Sequence, residues 1–196
     1  MADGDFEITQ VWRLDDGRQT LVLGARRNRL PEVVHWGAPL PDGEDLEGLF
    51  AAARLDVTGG MLDENPDLSI CPEATRTFPG QPGLILRDED GSPLLPKFCF
   101  VSEERRDAGL SLTYDDANAG IAYTAHFDAD AETRMITVWA ELKATRPIHL
   151  HWFAAPVLPG PQLSDDMIDV TGRWCGEFQL QRTPWSPGMR YRENRT

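Results

Sequence analysis

The sequence predicts an all-β fold, a large antiparallel β-sandwich with one short helix at most. Apolar residues recur at every second position in several segments, which is the period of a strand that buries one face. Clusters of Gly, Pro and Asp separate these segments at short intervals, as turns between neighbouring strands require. With 196 residues, the chain is long enough to bury a sizeable core as a single domain.

The first third of the chain predicts three strands and the helix. The strands are expected at residues 6–14, 19–23 and 31–36. Asp15-Asp16-Gly17 lies between the first two strands and is typical of a turn, so these strands predict a hairpin. The helix is expected at residues 45–54, where Asp45 can cap the N-terminus and apolar residues follow at helical spacing.

Residues 57–82 show neither strand nor helical periodicity, and Gly and Pro interrupt them repeatedly. A loop of this length inside a compact domain is uncommon and is usually functional, because a partner or ligand has to fix its exposed backbone. We therefore expect this loop to carry function.

The second half of the chain predicts an antiparallel meander. Its five strands are expected at residues 97–101, 109–114, 120–127, 134–142 and 148–157. Short polar turns join these strands, and their alternation places one face of each strand in the core.

One more strand is expected at residues 174–180, with Trp174 and Phe178 on its buried face, and it would close a two-sheet sandwich. Prolines and a glycine then break the pattern, and the remaining residues are mostly polar or charged. We therefore predict a sandwich domain at residues 1–182 and a linker at residues 183–196 that leads to a neighbouring domain.

The formal net charge of −13 repels the phosphates of nucleic acids and of anionic lipids, so we expect no nucleic-acid and no membrane partner. No segment approaches the roughly 20 apolar residues that span a bilayer, and the first residues lack the pattern of a secretory leader. The three cysteines are widely spaced and predict no disulfide framework. We expect a cytoplasmic protein.

Candidate chemistry is sparse. His149 and His151 flank Leu150 on a predicted strand and would share a face, so that both could bind the same metal or ligand. A third ligand at a suitable spacing is missing from the sequence, so we expect no metal and no cofactor. His35 and His126 have no sequence neighbours that would complete a catalytic triad.

The tryptophans divide into two groups by their place in the predicted strands. Those within strands are expected to pack in the core: Trp12, Trp139, Trp152 and Trp174. Trp36 at a strand end and Trp185 in the predicted linker are free to contact a ligand or another domain.

Three segments, in this order, resemble the N-terminal domain of family 36 glycoside hydrolases, the α-galactosidases of the melibiose and raffinose type. Residues 34–37 (Val-His-Trp-Gly) are similar to an early strand end of the family. Residues 62–84 follow the spacing of its long loop. Residues 171–195 resemble the run that leads into its catalytic barrel, and this match is the most specific.

The resemblance implies a β-supersandwich akin to the galactose mutarotase-like sandwiches. It also implies that the parent enzyme hydrolyses terminal α-galactosyl residues by a retaining mechanism, with two aspartates on a (β/α)8 barrel beyond this chain. The chain would then hold no catalytic residue. Its expected partners are its own barrel, other copies in a homo-oligomer, and galactosides.

The resemblance further suggests residues for these contacts. The rim of a neighbour's active site or the oligomer interface would involve Trp36, Asp63, Glu73, Arg76 and Phe78. The barrel contacts would involve Trp174, Trp185 and Arg195. Where the family has Asp-Phe-Arg, this chain has Phe78-Pro79-Gly80, so the family's arginine is absent and Arg76 or Glu73 could take its place.

Two other functions are compatible with the sequence. A stand-alone carbohydrate-binding module would expose an aromatic platform. A mutarotase-like enzyme would bring a histidine, His126 or His149, together with a carboxylate in a cleft of the sandwich.

Overall fold

The structure is a computed structural model that describes residues 8–53, 67–160 and 164–186. Nearly all regular structure in these residues is antiparallel β. The strands are β1 (Ile8–Asp15), β2 (Thr20–Arg26), β3 (Glu32–Gly37), β4 (Leu84–Arg87), β5 (Pro93–Leu94), β6 (Cys99–Arg106), β7 (Gly109–Asp116), β8 (Ile121–Asp130), β9 (Met135–Ala144), β10 (His149–Phe153), β11 (Asp166–Thr171) and β12 (Gln179–Pro184). The chain divides into two compact units, residues 1–159 and 160–196, which are described separately.

The first sheet of the larger unit has the order β1-β2-β3, and all three of its strands were predicted. The β1–β2 turn is fixed by Asp16, whose Oδ1 accepts hydrogen bonds from the backbone N–H groups of Arg18 and Gln19. Gly17 follows with φ of 81°, a left-handed conformation that glycine adopts without steric cost. The central strand β2 is buried along nearly its whole length.

The predicted helix is confirmed as α1 (Leu46–Ala52). Asp45 caps it, because Asp45 Oδ1 accepts a hydrogen bond from Gly48 N at 2.9 Å. Phe50 is the buried residue of the helix, and its ring packs directly against Gly24 of β2. A Cβ added at Gly24 would lie 2.8 Å from the ring atoms of Phe50.

The second sheet has the order β10-β4-β5, and the third is the meander β6-β7-β8-β9. The meander confirms the four strands predicted between residues 97 and 142. The strands β4 and β5 were not predicted, because they have only four and two residues and show no usable alternation. The predicted strand at residues 148–157 ends at Phe153.

The core forms where these three sheets face one another. Along β8, the predicted inward residues Ile121, Tyr123, Ala125 and Phe127 are all buried. Ring contacts join strands of different sheets: the Trp12 and Phe100 centroids lie 6.2 Å apart, and those of Tyr123 and Phe153 also lie 6.2 Å apart. The predicted core position of Trp12 is thereby confirmed.

Two tryptophans of the larger unit that were expected in the core are exposed instead. Trp139 pairs with His126 across β8 and β9 and lies on the face of the meander that points away from the core. In the pairing of β10 with β4, the register shifts between Leu150 and Trp152. Since a shift of one residue exchanges the two faces of a strand, the alternation read from the sequence does not hold here, and Leu150 is exposed as well.

The smaller unit contains the hairpin β11–β12, in which Thr171 pairs with Gln179 and Asp166 pairs with Pro184. The strand predicted at residues 174–180 is wrong. Most of that segment is the connection between β11 and β12, and its backbone turns at Cys175 and Phe178, which have φ of 65° and 59°. Two left-handed residues this close together interrupt the extended backbone of a regular strand.

The boundary predicted between a domain at residues 1–182 and a linker at residues 183–196 stays a prediction, because most of that linker lies outside the described residues. Within the described ranges, no α-helix combines the length and the apolar character that a membrane span requires.

Candidate functional site

The described part of the long loop, residues 67–83, follows a fixed path. Ser69 forms an antiparallel bridge with Glu32 of β3, and Ile70 N donates a hydrogen bond to Pro31 O at 2.8 Å. At the other end, Gly83 N donates to Pro72 O at 2.9 Å. The loop therefore presents its side chains from a defined backbone, as a binding surface requires.

A charged cluster holds the start of this segment. The Arg26 guanidinium lies 3.1 Å from Glu32 Oε1 and 3.3 Å from Asp67 Oδ1. Its Cζ also lies 5.0 Å from the ring centroid of Phe50. Burial, with the nearby charge of Asp67, raises the pKa of Glu32 to about 7 against the opposing effect of Arg26. Arg26 thus contacts a residue on each side of residues 54–66.

Glu73 is buried and belongs to the internal structure of the loop. Its Oε1 accepts a hydrogen bond from Phe98 N at 2.8 Å, and its Oε2 lies 3.6 Å from Arg76 Nε. Burial raises the pKa of Glu73, although the hydrogen bond from Phe98 and the charge of Arg76 oppose the shift. Its role in this structure is to hold the turn that carries Arg76.

Arg76 and Phe78 both belong to that turn. Arg76 ends a single turn of 3₁₀ helix, Ala74–Arg76, and Thr77 follows it with φ of 61°. Both Arg76 and Phe78 are half-buried, and the Phe78 ring lies close to Gly80, where an added Cβ would be 2.7 Å from Cε1. Of the suggested rim residues, Glu73 and Arg76 contact each other, and Phe78 lies two positions after Arg76 in the chain.

Trp36 is 45% exposed, as the sequence predicted. Its Nε1 donates a hydrogen bond to Gln19 Oε1 at 2.8 Å, so the indole is held at the end of β3. Glu32, the residue bridged to the loop, lies four positions earlier on β3, which corresponds to about 13 Å along the strand. Trp36 is therefore a separate candidate for contact with a ligand.

The candidates for barrel contact lie in the smaller unit. Trp174 is 90% exposed in the β11–β12 connection, which corrects its predicted core position. Trp185 is 47% exposed, its backbone N donates to Asp165 O at 2.7 Å, and its ring packs on Gly160. Asp63 and Arg195 lie outside the described residues.

The histidines form no metal site in the described parts of the chain, where no group of three or more possible ligands occurs. His149 and His151 are both exposed on β10. His126 lies on the outer face of the meander, stacked on Trp139 with ring centroids 4.8 Å apart. Its Nδ1 is 2.8 Å from Ser111 Oγ and its Nε2 is 3.6 Å from Glu141 Oε1.

The apolar face of the hairpin β11–β12 was not predicted from the sequence. Ile168, Val170 and Leu180 are exposed, and Val170 pairs with Leu180 across the two strands. The available signal was the spacing of two between Ile168 and Val170, both of which are β-branched and favour strands.

Comparisons with known proteins agree on one family. The family model described as "Glycosyl hydrolase family 36 N-terminal domain" matches residues 29–196. Among characterised proteins, an alpha-galactosidase of Escherichia coli is 24% identical over 196 residues, and this match covers 96% of the chain and 26% of that protein. The chain thus spans about a quarter of the length of this relative.

Solved structures show the same fold. The GH36 alpha-galactosidase AgaA from Geobacillus stearothermophilus has a TM-score of 0.72 at 20% identity, covering 91% of this chain and 28% of that chain. The galactosidase domain of the alpha-galactosidase-sucrose kinase AgaSK has a TM-score of 0.74 at 18% identity, covering 93% and 30%. AgaA variants have been crystallised with raffinose and with stachyose. The all-β antiparallel sandwich with one short α-helix is confirmed.

Proposed function

The chain belongs to the N-terminal domain family of the family 36 glycosyl hydrolases, and we propose that it is the non-catalytic N-terminal domain of an α-galactosidase. The whole enzyme would hydrolyse terminal α-galactosyl residues of oligosaccharides such as melibiose and raffinose, with retention of configuration. The similarity to α-galactosidases, one of which binds raffinose, supports this substrate class. Two aspartates of a (β/α)8 barrel outside this chain would perform the chemistry.

The observation that carries this proposal is the apolar face of the hairpin β11–β12. Ile168, Val170 and Leu180 adjoin a connection in which Trp174 and Phe178 are 90% and 86% exposed. A two-stranded hairpin is marginally stable by itself, and a contiguous apolar patch usually marks an interaction site. We propose that this face, with Trp185 and Arg195, packs against the catalytic barrel.

We propose a second role for the turn that carries Arg76 and Phe78. A rigid turn with one cation and one aromatic ring at its surface suits contact with a sugar or with a second copy of the enzyme. Glu73 supports this role by fixing the turn from inside. Together with Trp36 and Asp63, the turn would border the active site of a neighbouring subunit in a homo-oligomer.

We also propose that the protein works in the cytoplasm. Cys99 and Cys175 are exposed and free, which suits a compartment that keeps thiols reduced. Burial raises the pKa of the third thiol, Cys71, to about 12, so this cysteine is unreactive in the core.

The gene provides the direct test. The codons after Thr196 should encode a segment similar to Gly-Arg-Thr-Ser-His and then a barrel with two suitably placed aspartates. The complete protein should release galactose from melibiose and raffinose, and the chain alone should not. A stop codon directly after Thr196, or a complete protein that is inactive on α-galactosides, would contradict the proposal.

A further inference from the structure

The strand β9 is an open edge of the meander. In the described ranges it pairs only with β8, residue by residue over its ten positions and without a register shift. The other edge strands described in the larger unit are irregular or very short: register shifts occur in the pairings of β1, β3, β6 and β10, and β5 has only two residues. Irregularities of this kind hinder the pairing of an edge with another chain. The edge of β9 lacks them.

The core-facing row of β9 is incompletely covered. Ile136, Val138, Ala140 and Leu142 pack against the core but are only half-buried. The core-facing residues of β8, the neighbouring strand, are at most 4% exposed. The apolar layer of the sandwich is therefore open along the free side of β9, and an element that paired there would bury this row.

Trp139 presents an aromatic surface at the same edge. Its ring lies nearly parallel to that of His126, with an interplanar angle of 12° and centroids 4.8 Å apart. This separation equals the usual spacing between neighbouring strands, so the two rings stand side by side along the direction that runs from strand to strand. The second face of the indole consequently points past β9, and Trp139 is 36% exposed.

We propose that two copies of this chain pair through their β9 strands, antiparallel and about a two-fold axis at Trp139. On the core side, Ile136 then lies opposite Leu142 of the partner subunit, and Val138 lies opposite Ala140 of the partner subunit. Each apolar residue of the row thus meets an apolar residue, and the two four-stranded meanders become one continuous sheet.

The outer row is complementary in the same register. Trp139 stacks on Trp139 of the partner subunit, which extends the His126–Trp139 pair across the axis. Thr137 lies opposite Glu141 of the partner subunit and can donate a hydrogen bond to its carboxylate. An axis at Glu141 would instead place two carboxylates opposite each other, and an axis at Lys143 would do the same with two ammonium groups, which disfavours both of those registers.

The charge of the molecule favours this surface for contact between copies. The formal net charge of −13 repels a second copy at most surfaces. The outer row of β9 carries one carboxylate and one ammonium group, Glu141 and Lys143, with Oε2 and Nζ 3.9 Å apart, so the net charge of this row is zero. The interface rests on the proposed function only for the expectation of a homo-oligomer; its location rests on the geometry of β9.

The test is analytical ultracentrifugation of the chain between about 1 and 500 μM. We expect a reversible equilibrium between monomer and dimer, and the backbone N–H groups of β9 should exchange with deuterium more slowly in the dimer. A chain that stays monomeric throughout would overturn the proposal, as would a dimer in which the exchange of β9 is unchanged. A monomeric chain whose β9 exchanges slowly only in the complete protein would assign this edge to another part of that protein and would equally overturn the proposal.

Substitutions at Thr137, which is exposed, test the register. Thr137→Lys places a cation opposite Glu141 of the partner subunit and should tighten the dimer about fivefold, because each contact occurs twice. Thr137→Glu places like charges opposite each other and should weaken the dimer by a similar factor. Trp139→Ser should weaken it about tenfold through the loss of the ring stack.

Ser102→Lys and Ser102→Glu are the matched controls, because Ser102 is exposed on β6, the opposite edge strand of the meander. They repeat the change in net charge and should leave the dissociation constant within about twofold of that of the unaltered chain. Equal effects at the two positions, or no effect of either Thr137 variant, would exclude the register centred on Trp139 and the proposal with it.

The outcome is separable from that of the proposed function. A complete protein that hydrolyses melibiose while neither it nor the chain self-associates through β9 would remove only this interface. A chain that forms the dimer but belongs to a protein inactive on α-galactosides would keep the interface and remove the α-galactosidase.

Discussion

Glu32 is a carboxyl group whose ionisation the fold alters, because it is largely buried beside Asp67 and shares Arg26 with it. Its pKa of about 7, against an ordinary value of 4.5, means that the folded chain binds a proton more tightly than the unfolded chain. Stability from this group is fully present below pH 4.5 and is lost as the pH rises to about 7.

We expect the free energy of unfolding to decrease by roughly 3 kcal/mol over that range through Glu32 alone. Glu32→Gln should remove this part of the pH dependence, as measured by urea unfolding between pH 4.5 and 8. Glu132→Gln, at an exposed position, is the control and should keep the slope of the unaltered chain. An identical slope in Glu32→Gln would show that Glu32 does not hold the proton.

Substitutions of Arg76 test whether its turn borders the active site of a neighbouring subunit. Under the proposed function, Arg76→Ala in the complete protein should raise KM for raffinose about tenfold at constant kcat, because a contact made equally with substrate and transition state is lost. Arg76→Lys should restore part of the affinity. Arg87→Ala, an exposed arginine on β4, should leave both constants unchanged. Unchanged kcat/KM in Arg76→Ala would mean that the turn does not reach substrate.

At the scale of single residues, the sequence identified exposed aromatic side chains where local chain breaks were clear. Trp36 before Gly37 and Trp185 after Pro184 are exposed as predicted. The burial of Glu73 could not be foreseen, since its partner Phe98 is 25 positions away along the chain and the hydrogen bond depends on tertiary packing.

Among the elements, α1 depends on the absence of a side chain at Gly24. Gly24→Ala would place a methyl group 2.8 Å from the Phe50 ring, and Phe50 has almost no free space because it is buried. We expect a loss of about 1–3 kcal/mol in the free energy of unfolding, as for other overpacked sites, measured by urea unfolding.

Gly43→Ala is the matched control, because nothing lies within 4 Å of a Cβ at that position. It should change stability by less than about 0.5 kcal/mol. Equal effects of the two variants would contradict the packing of Phe50 on Gly24.

Strand prediction succeeded where alternation coincided with regular pairing. The strand β8 pairs residue by residue with both neighbours along its length, so every second side chain is buried as expected. The segment at residues 174–180 has equally good alternation, but it contains left-handed residues that the alternation does not reveal. In β10 the alternation predicted Trp152 to be buried, but a register shift interrupts the pairing and Trp152 is exposed.

For the whole molecule, the sequence identified the family through motifs that depend on function and not on periodicity. The resemblance at residues 34–37, 62–84 and 171–195 is consistent with the matched family over residues 29–196. Periodicity alone indicated a sandwich, but not the short strands β4 and β5 that complete its second sheet with β10.

The exposed aromatic residues of the hairpin β11–β12 test whether a further domain packs on it. Trp174→Ser and Phe178→Ser should change the free energy of unfolding of the chain alone by less than about 0.5 kcal/mol, since neither ring is buried. In the complete protein both should lower the Tm, because each buried ring contributes about 1.5–3 kcal/mol. Gln181→Ser on the same hairpin is the control and should leave the Tm unchanged. Equal Tm values in the Trp174→Ser, Phe178→Ser and Gln181→Ser variants of the complete protein would exclude packing at this face.

Arg26 has a consequence for how this domain can vary or be engineered. Its guanidinium contacts Phe50 and Asp67 at the same time, so the framework itself fixes the separation between the two ends of the intervening stretch. Doubling the length of such a stretch costs only about 0.6 kcal/mol in closure entropy. Sequences of other lengths could therefore be grafted between these two residues with little loss of stability, provided that Arg26 is retained.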